Sequence, residues 1–394
     1  MRNGCNFPKI ISVKKTGIFW VLLAFVFCSN SNAQTDSSHL RISVLTCAPG
    51  DELYSTFGHT ALRIVDSSKQ TDIIYNYGTF DFDDPDFYMK FTRGKLDYFL
   101  SVESLAQFMY EYQVEKRAVT EQEINIPASA KIDIAQALKE NMVGANRYYK
   151  YDFLYNNCTT RIRDIIQKYA GLSVSRPLVP QKTTFRNMLH EYLDKGGKPW
   201  SRLGIDLLLA SPIDKIVTID QSMFLPDYLM KGVDSAAHRK EVAFIKSRTL
   251  ISTGFPSEPG SNYWPLIIFS IICIIITFIS FLKSKTAIIL TRVFDFLLFF
   301  KTGLIGCLLL FMWFGTDHKA CAVNYNLLWA LPTHLIAAFS VWKKPNRFAK
   351  YFTASSVLSV LLLITWFWLP QQLNPAFIPI TLLLLFRSVQ LRKS

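Results

Sequence analysis

Cysteine is scarce where this chain would need it for a disulfide framework. Of the seven cysteines, only Cys47 and Cys158 fall between positions 34 and 262. Small secreted domains held together by disulfides carry more than that; a single Cys47–Cys158 bridge stays open as an alternative. Histidine is scarce too, and none of it sits at HxxxH-type or clustered His/Cys spacing in the soluble half, which gives metal catalysis no support. Acidic residues are absent from positions 1–33 and reduced to Asp295 and Asp317 over 263–394. The net charge of +13 therefore belongs to the two ends of the chain, and the stretch between them is close to neutral. Nucleic-acid binding needs a contiguous basic patch, and none is present. No internal repeat or low-complexity segment occurs.

What is present begins with those ends. Arg2, Lys9, Lys14 and Lys15 lead into the apolar run GIFWVLLAFVF, and SNSNA follows, ending at Ala33. This is the pattern of a secretory signal peptide cleaved after Ala33, with an uncleaved membrane helix as the alternative. Cys28 follows the bulky Phe27, where a lipid-modification site wants a small residue, and goes with the discarded peptide. From Tyr263 onward apolar runs long enough for a bilayer recur, and the pattern predicts about five helices, near 264–282, 296–315, 325–342, 351–369 and 375–390. With the soluble part outside, the inner connections carry Lys283 and Lys285, then Lys343, Lys344, Arg347 and Lys350, then Arg387, Arg392 and Lys393. The outer loops hold only Lys319, so the positive-inside asymmetry agrees with the signal peptide. Arg292, Asp295 and Lys301 near the second run imply that its helix starts late or that Lys301 snorkels; Asp295 and Lys301 could also pair.

The soluble segment, 34–262, is long enough for one domain with a full core. Alternating Leu40, Ile42 and Val44 predict a strand before a Pro-Gly turn, and Leu53 to Gly58 leads irregularly into a strand from His59 to Val65. TDIIYNYGTFDF follows after a DSSK turn, which makes His59 and the Tyr75 to Tyr77 region neighbours in one antiparallel sheet. KLDYFLSVES and EKRAVTEQEINI read as further strands, and Ala128 to Met142 as a helix with Ile132, Ile134, Ala135 and Leu138 on its apolar face. Residues 172–262 read as three helices, in KTTFRNMLHEYL, RLGIDLLLAS and DQSMFLPDYLMK, joined by Pro- and Gly-containing turns.

One further helix carries chemistry. In YNNCTTRIRD, Asn157 is a good N-cap, and Ile162, Ile165 and Ile166 form an apolar stripe ending before Gly171. Cys158 then stands at the first helical position, where unpaired backbone N–H groups and the helix dipole favour a thiolate. A nucleophile needs a base. His39 and His238 lie in polar or charged runs, and His190 in an amphipathic helix reads as a surface or interface residue. His59, opening a strand after Phe-Gly, can project toward a facing helix. A Cys158–His59 pair would let the imidazole take the thiol proton while helix-start N–H groups, with Asn157 beside them, meet the substrate oxyanion. Asn76, on the neighbouring strand, is the candidate to orient the histidine, with Tyr75 or Tyr77 as substitutes. The alternatives are a satisfied half-buried histidine and a cysteine acting as a small buried hydrophobe. In the membrane half, Asp317 and His318 of the TDH segment either anchor and cap the loop or bind a lipid headgroup or an acceptor amine; Asn324 and Asn326 follow.

The order of a histidine on a strand, then Asn-Cys opening a helix, resembles the circularly permuted NlpC/P60 papain-like fold used by thiol acyltransferases of the lecithin:retinol acyltransferase type. More closely, PGDELYSTFGHTALRI, IIYNYGTFDF, YDFLYNNCTTRIRDII, MFLPDYLM and MWFGTDHKACAVNYNLLWALPTHL resemble the Lnb family of bacterial lipoprotein N-acyltransferases. The resemblance implies an α+β papain-like periplasmic domain followed by a transmembrane bundle in the bacterial inner membrane, with catalytic cysteine and histidine at Cys158 and His59 and no cofactor. It also implies the reaction: a fatty acyl chain passes from a membrane phospholipid to Cys158 as a thioester, then to the amine of a diacylated lipoprotein. A membrane-tethered cysteine peptidase of the cell wall and a phospholipase are the rival enzymes, and a membrane scaffold whose soluble domain only binds is the non-enzymatic rival.

Overall fold

In the computed structural model, residues 39–238, 242–253, 263–343 and 345–393 are described. The expected signal peptide with Cys28 and the cleavage after Ala33, and Lys344 of an inner connection, lie outside them. The first half is built on a seven-stranded antiparallel sheet of order β6-β4-β3-β2-β1-β5-β9. Its strands are β1 (Leu40–Cys47), β2 (His59–Asp66), β3 (Thr71–Thr79), β4 (Asp97–Ser104), β5 (Val119–Ile124), β6 (Tyr148–Lys150) and β9 (Ile245–Ser252). Between them stand helices α1 (Phe87–Thr92), α2 (Leu105–Val114), α3 (Ala128–Asn141), α4 (Cys158–Ile165), α5 (Phe185–Lys195), α6 (Pro199–Leu208), α7 (Ile219–Ser222) and α8 (Pro226–Ser235), and a two-residue ribbon of β7 (Ala237–His238) with β8 (Val242–Ala243).

The sheet is covered on both faces, and residue parity decides which side chain goes where. Ile42, Val44, Leu62, Ile64, Tyr75 and Tyr77 pack against Ile134 and Leu138 of α3 and Ile162 of α4. Leu45, Cys47, Ala61 and Ile74 point the other way, onto Phe108, Met109 and Tyr112 of α2. Alternation in β1 and the turn signals that separate β1, β2 and β3 made these strands legible. Others, among them α1, α2, β6 and β9, were not. α2 is set by a capping box between Ser104 and Gln107. β9 falls in the stretch read as helical only; its sequence IKSRTLIS is mostly exposed along the sheet edge, so it carries no apolar signal. The third of the expected helices is two, because Pro226 starts α8 afresh.

Among the described residues, five α-helices follow Tyr263: α9 (Trp264–Phe281), α10 (Lys285–Phe314), α11 (His334–Lys343), α12 (Ala349–Thr365) and α13 (Phe377–Lys393). By length and composition, α9 and α10 suffice to cross a membrane. Two sequence expectations are corrected here. The second helix starts early, at Lys285, because Asp295 is buried and paired inside it: Arg387 of α13 donates to both Asp295 oxygens, 2.6 and 2.9 Å, and to Ser280 of α9 at 2.9 Å. Asp295 is therefore paired with Arg387 and not with Lys301, and Arg387 joins three helices. The third helix starts late, at His334. Ala330 to Pro332 before it, and Leu335 in its first turn, lie directly on α10, a backbone approach that Gly306 and Gly303 allow.

A buried carboxylate without its guanidinium is costly, about 3–5 kcal/mol. Arg387→Leu is expected to lose most monodisperse protein on size-exclusion in mild detergent, and Asp295→Leu with Arg387→Leu to restore it. Equal recovery of the single and double variants would show that the pair is not holding the helices.

Candidate active site

The approach to α4 is fixed by side chains that satisfy backbone groups. Asp152 accepts from the Leu154 and Tyr155 amides at 2.9 and 3.0 Å, turning the chain. Asn157 then caps the helix: its Oδ1 accepts from the Thr160 amide and its own amide donates to Thr160 Oγ1, both 2.8 Å. Its Nδ2 donates to the Phe153 and Phe224 carbonyls at 2.8 and 2.9 Å. Asn157 is buried and its polar groups are all engaged, so the expectation that it meets substrate is corrected: it positions Cys158. The cap takes the Thr160 amide, which leaves the Cys158 and Thr159 amides in the first turn for a developing oxyanion.

The helix start is buckled to the sheet one residue along. Thr159 Oγ1 and Thr60 Oγ1 lie 3.0 Å apart, both fully buried. This bond sets Cys158, before Thr159, beside His59, before Thr60. His59 follows Gly58 at φ +76°, where a side chain would strike the Cys47 carbonyl. Gly78, at φ +96° in a bulge of β3, lies under the pair: a Cβ there would touch Cys158 Cβ at 3.5 Å and His59 Cε1 at 4.0 Å.

His59 Nε2 and Asn76 Oδ1 are 2.6 Å apart. Asn76 Nδ2 donates to Glu103 Oε1 at 3.1 Å. A carboxylate only accepts, so Glu103 fixes which end of the Asn76 amide faces the ring; that end is an acceptor, so Nε2 carries the proton and Nδ1 is left to take one from the thiol. Glu103 was invisible in the sequence: Ser101 stands opposite Asn76 in the register, and Glu103, opposite Ile74, reaches Asn76 on the diagonal.

Charge completes the pair. Burial pushes the Cys158 thiol up, but the His59 charge and hydrogen bond, the Thr60 amide and the Thr159 hydroxyl together outweigh it and bring the pKa down to about 7. Burial works against a charged His59, yet the Cys158 thiolate and the bond to Asn76 leave its pKa raised. Cys47 is the contrast: burial pushes it up to about 12. Both cysteines are free thiols, so the bridge between them left open above is not formed.

The other sequence candidates go elsewhere. His190, expected at a surface or interface, is buried and 2.7 Å from Asp206. Asp206 also accepts from Arg186 at 2.7 Å and from Asn374 of the membrane half at 2.9 Å. Asn324 and Asn326 donate to the Leu207 carbonyl at 2.8 and 3.2 Å, joining the same junction. Asp317 and His318 meet the end of α1: the Asp317 amide donates to the Arg93 carbonyl at 2.9 Å, and His318 Nε2 donates to the Phe91 carbonyl at 3.2 Å. The structure thus gives the TDH segment a docking contact on the first half.

Two family models match the chain: the Lnb N-terminal periplasmic domain over residues 27–191 and the Lnb transmembrane domain over 257–393. The chain belongs to the Lnb family. It is a membrane protein with a periplasmic domain, and the Cys158–His59 pair lies within the Lnb periplasmic match. No curated protein and no solved structure matches the chain.

The coupled pair dictates a pH profile. Thiolate is lost as pH falls through about 7, so alkylation of Cys158 by iodoacetamide should fall to half near that pH. In His59→Ala only burial and the weaker donors remain, and the inflection should move up toward or beyond the ordinary thiol value, slowing alkylation at pH 7 by about tenfold or more. An unmoved inflection would show that His59 does not activate the thiol. Thr159→Val, which strands the buried Thr60 hydroxyl, should cost about 1–3 kcal/mol in thermal unfolding, and Thr60→Val with Thr159→Val less; a double variant worse than the single would show that the hydroxyls are not paired.

Proposed function

We propose that this chain is a thiol-dependent lipoprotein N-acyltransferase of the bacterial inner membrane. The observation that carries it is the lowered-pKa Cys158 thiol against an oriented His59, in a periplasmic domain joined to a membrane domain of the Lnb family. The acyl donor and the lipidated acceptor both reside in the bilayer, which explains why a catalytic domain would be held by a bundle rather than a single anchor. On this reading the five helices α9 to α13 form a multi-pass domain, the first 33 residues are a cleaved signal peptide, and the first half is a permuted papain-like fold of the NlpC/P60 type. A helix-borne cysteine facing a strand-borne histidine supports that last assignment.

In the first step the Cys158 thiolate attacks the carbonyl carbon of a phospholipid ester. The C–S bond forms, the carbonyl oxygen is met by the Cys158 and Thr159 amides, and the C–O bond breaks as His59 hands its proton to the departing lysophospholipid oxygen. In the second, the α-amine of a diacylglyceryl-cysteine attacks the thioester. The C–N bond forms, the thiolate leaves, and the amine proton passes to His59. Phospholipid and amine become lysophospholipid and amide with no cofactor.

Intact-mass spectrometry of the protein purified in phospholipid tests this. The wild type should gain one acyl chain at Cys158, labile to hydroxylamine, and pass it to the amine of a diacylated lipopeptide; Cys158→Ser and His59→Ala should not. Release of the acyl chain to water alone would favour a phospholipase. No adduct, with cleavage of cell-wall peptides, would favour a peptidase.

A further inference from the structure

The segment from Phe80 to Phe91 exposes apolar surface that a water-facing loop does not need. Phe82 is 71 % exposed, Tyr88 83 %, Met89 63 % and Phe91 51 %. They share a helix of six residues and the turn before it, where Phe82, Tyr88 and Phe91 are grouped around Phe87 and the exposed Asp81, Asp83 and Asp86 stand between them; exposed aromatic side chains grouped in this way mark an interaction site. Its position selects the partner. The Arg93 and Phe91 carbonyls are held by Asp317 and His318, which follow Gly315 and Thr316 just beyond α10 and the stacked Trp313–Phe314 pair at its end. The patch is therefore continuous with the end of a membrane-spanning helix, at the level where aromatic side chains settle into a bilayer interface.

The patch also leads to the thiol. Phe82 packs on Phe80 with ring centroids 4.6 Å apart, Phe80 on Tyr98 at 5.2 Å, and Tyr98 on Tyr151 at 4.4 Å. Tyr98, Tyr151 and Cys158 pack against one apolar cluster, and Tyr151 is raised well above the ordinary tyrosine range by burial and by the Cys158 charge. Phe80 is two residues from Gly78, which underlies Cys158.

We propose that Phe82, Tyr88 and Phe91 dip into the outer leaflet of the membrane, and that the aromatic row through Phe80 and Tyr98 guides a phospholipid acyl chain from there to Cys158. This rests on the acyl-transfer reading for its second half only. Asp317 and His318 then act as positioning residues, holding the patch at the bilayer and not touching the reacting atoms.

The test uses the full chain in vesicles of phosphatidylethanolamine and phosphatidylglycerol. A benzoylphenylalanine photocrosslinker in place of Tyr88 should capture phospholipid, identified by mass. The triple variant Phe82→Ser, Tyr88→Ser, Phe91→Ser should slow acylation of Cys158 from the bilayer by about tenfold or more, while the rate of Cys158 alkylation by iodoacetamide stays as in the wild type. Acylation at the wild-type rate, or a crosslinker that captures no lipid, would overturn the proposal. Lipid capture by a wild-type chain that never becomes acylated would keep the membrane contact and discard the acyltransferase reading instead, so the two fail separately.

Discussion

Everything reactive in this chain depends on the position of one helix N-terminus over one sheet. A cysteine thiol is a poor nucleophile at its ordinary pKa, and burial makes it poorer. The chain offsets that with an imidazole, a backbone amide and a hydroxyl, each effective only at hydrogen-bonding range. The Thr60–Thr159 bond and the Asn157 cap supply that range from opposite sides: one ties the helix to β2, the other closes the helix against the Phe153 and Phe224 carbonyls. Behind them Glu103 fixes Asn76 and Asn76 fixes the histidine tautomer, so the site is ordered outward from a carboxylate in β4 that touches neither sulfur nor imidazole.

A second constraint joins the two halves. Asp206 is almost wholly buried, and there it meets Arg186, His190 and Asn374. An isolated carboxylate in that setting would be prohibitive, so the charge is matched locally, with Arg186 also bridging to Asp214 at 2.8 Å. Asn324 and Asn326 donate to the carbonyls at the end of α6, which a helix leaves unpaired, and Gln371 binds the Tyr325 amide. Polar groups of the membrane half thus complete a helix terminus of the first half. A connection of this kind holds a fixed geometry, where an apolar contact alone would tolerate sliding.

How much of this the sequence disclosed follows from which signals are local. Caps, strand alternation and apolar runs are written within a few residues, so β1 to β5, α3, α4 and the start of α9 could be read directly, and Cys158, His59 and Asn76 could be named as candidates. α2 escaped although its capping box, Ser104 with Gln107, is local; the rest depends on distant partners. β9 is polar and owes its existence to β5. His190 looks like a surface residue until Arg186 and Asp206 fold around it, and Arg387 reads only as a topology signal until Asp295 arrives from α10. Asn157 was placed correctly as a cap but given a substrate contact as well, and the buried carbonyls that consume its amide come from Phe224, far along the chain. Glu103 belongs to the same class: its role exists only through strand register.

Half-burial of the thiol bears differently on the candidate chemistries. Activation by His59 would serve a hydrolase as readily as a transferase, because both begin with the same thioester. They part at the second step, where water competes with an amine. Cys158 is half-buried among aromatic side chains, a position that raises its pKa and that the surrounding donors must offset. For a hydrolase that burial only hinders, since water is the second substrate. For a transferase it extends the life of the acyl-enzyme until an acceptor amine arrives by lateral diffusion in the bilayer, and the desolvation that opposes the thiolate is then part of what makes the second step selective.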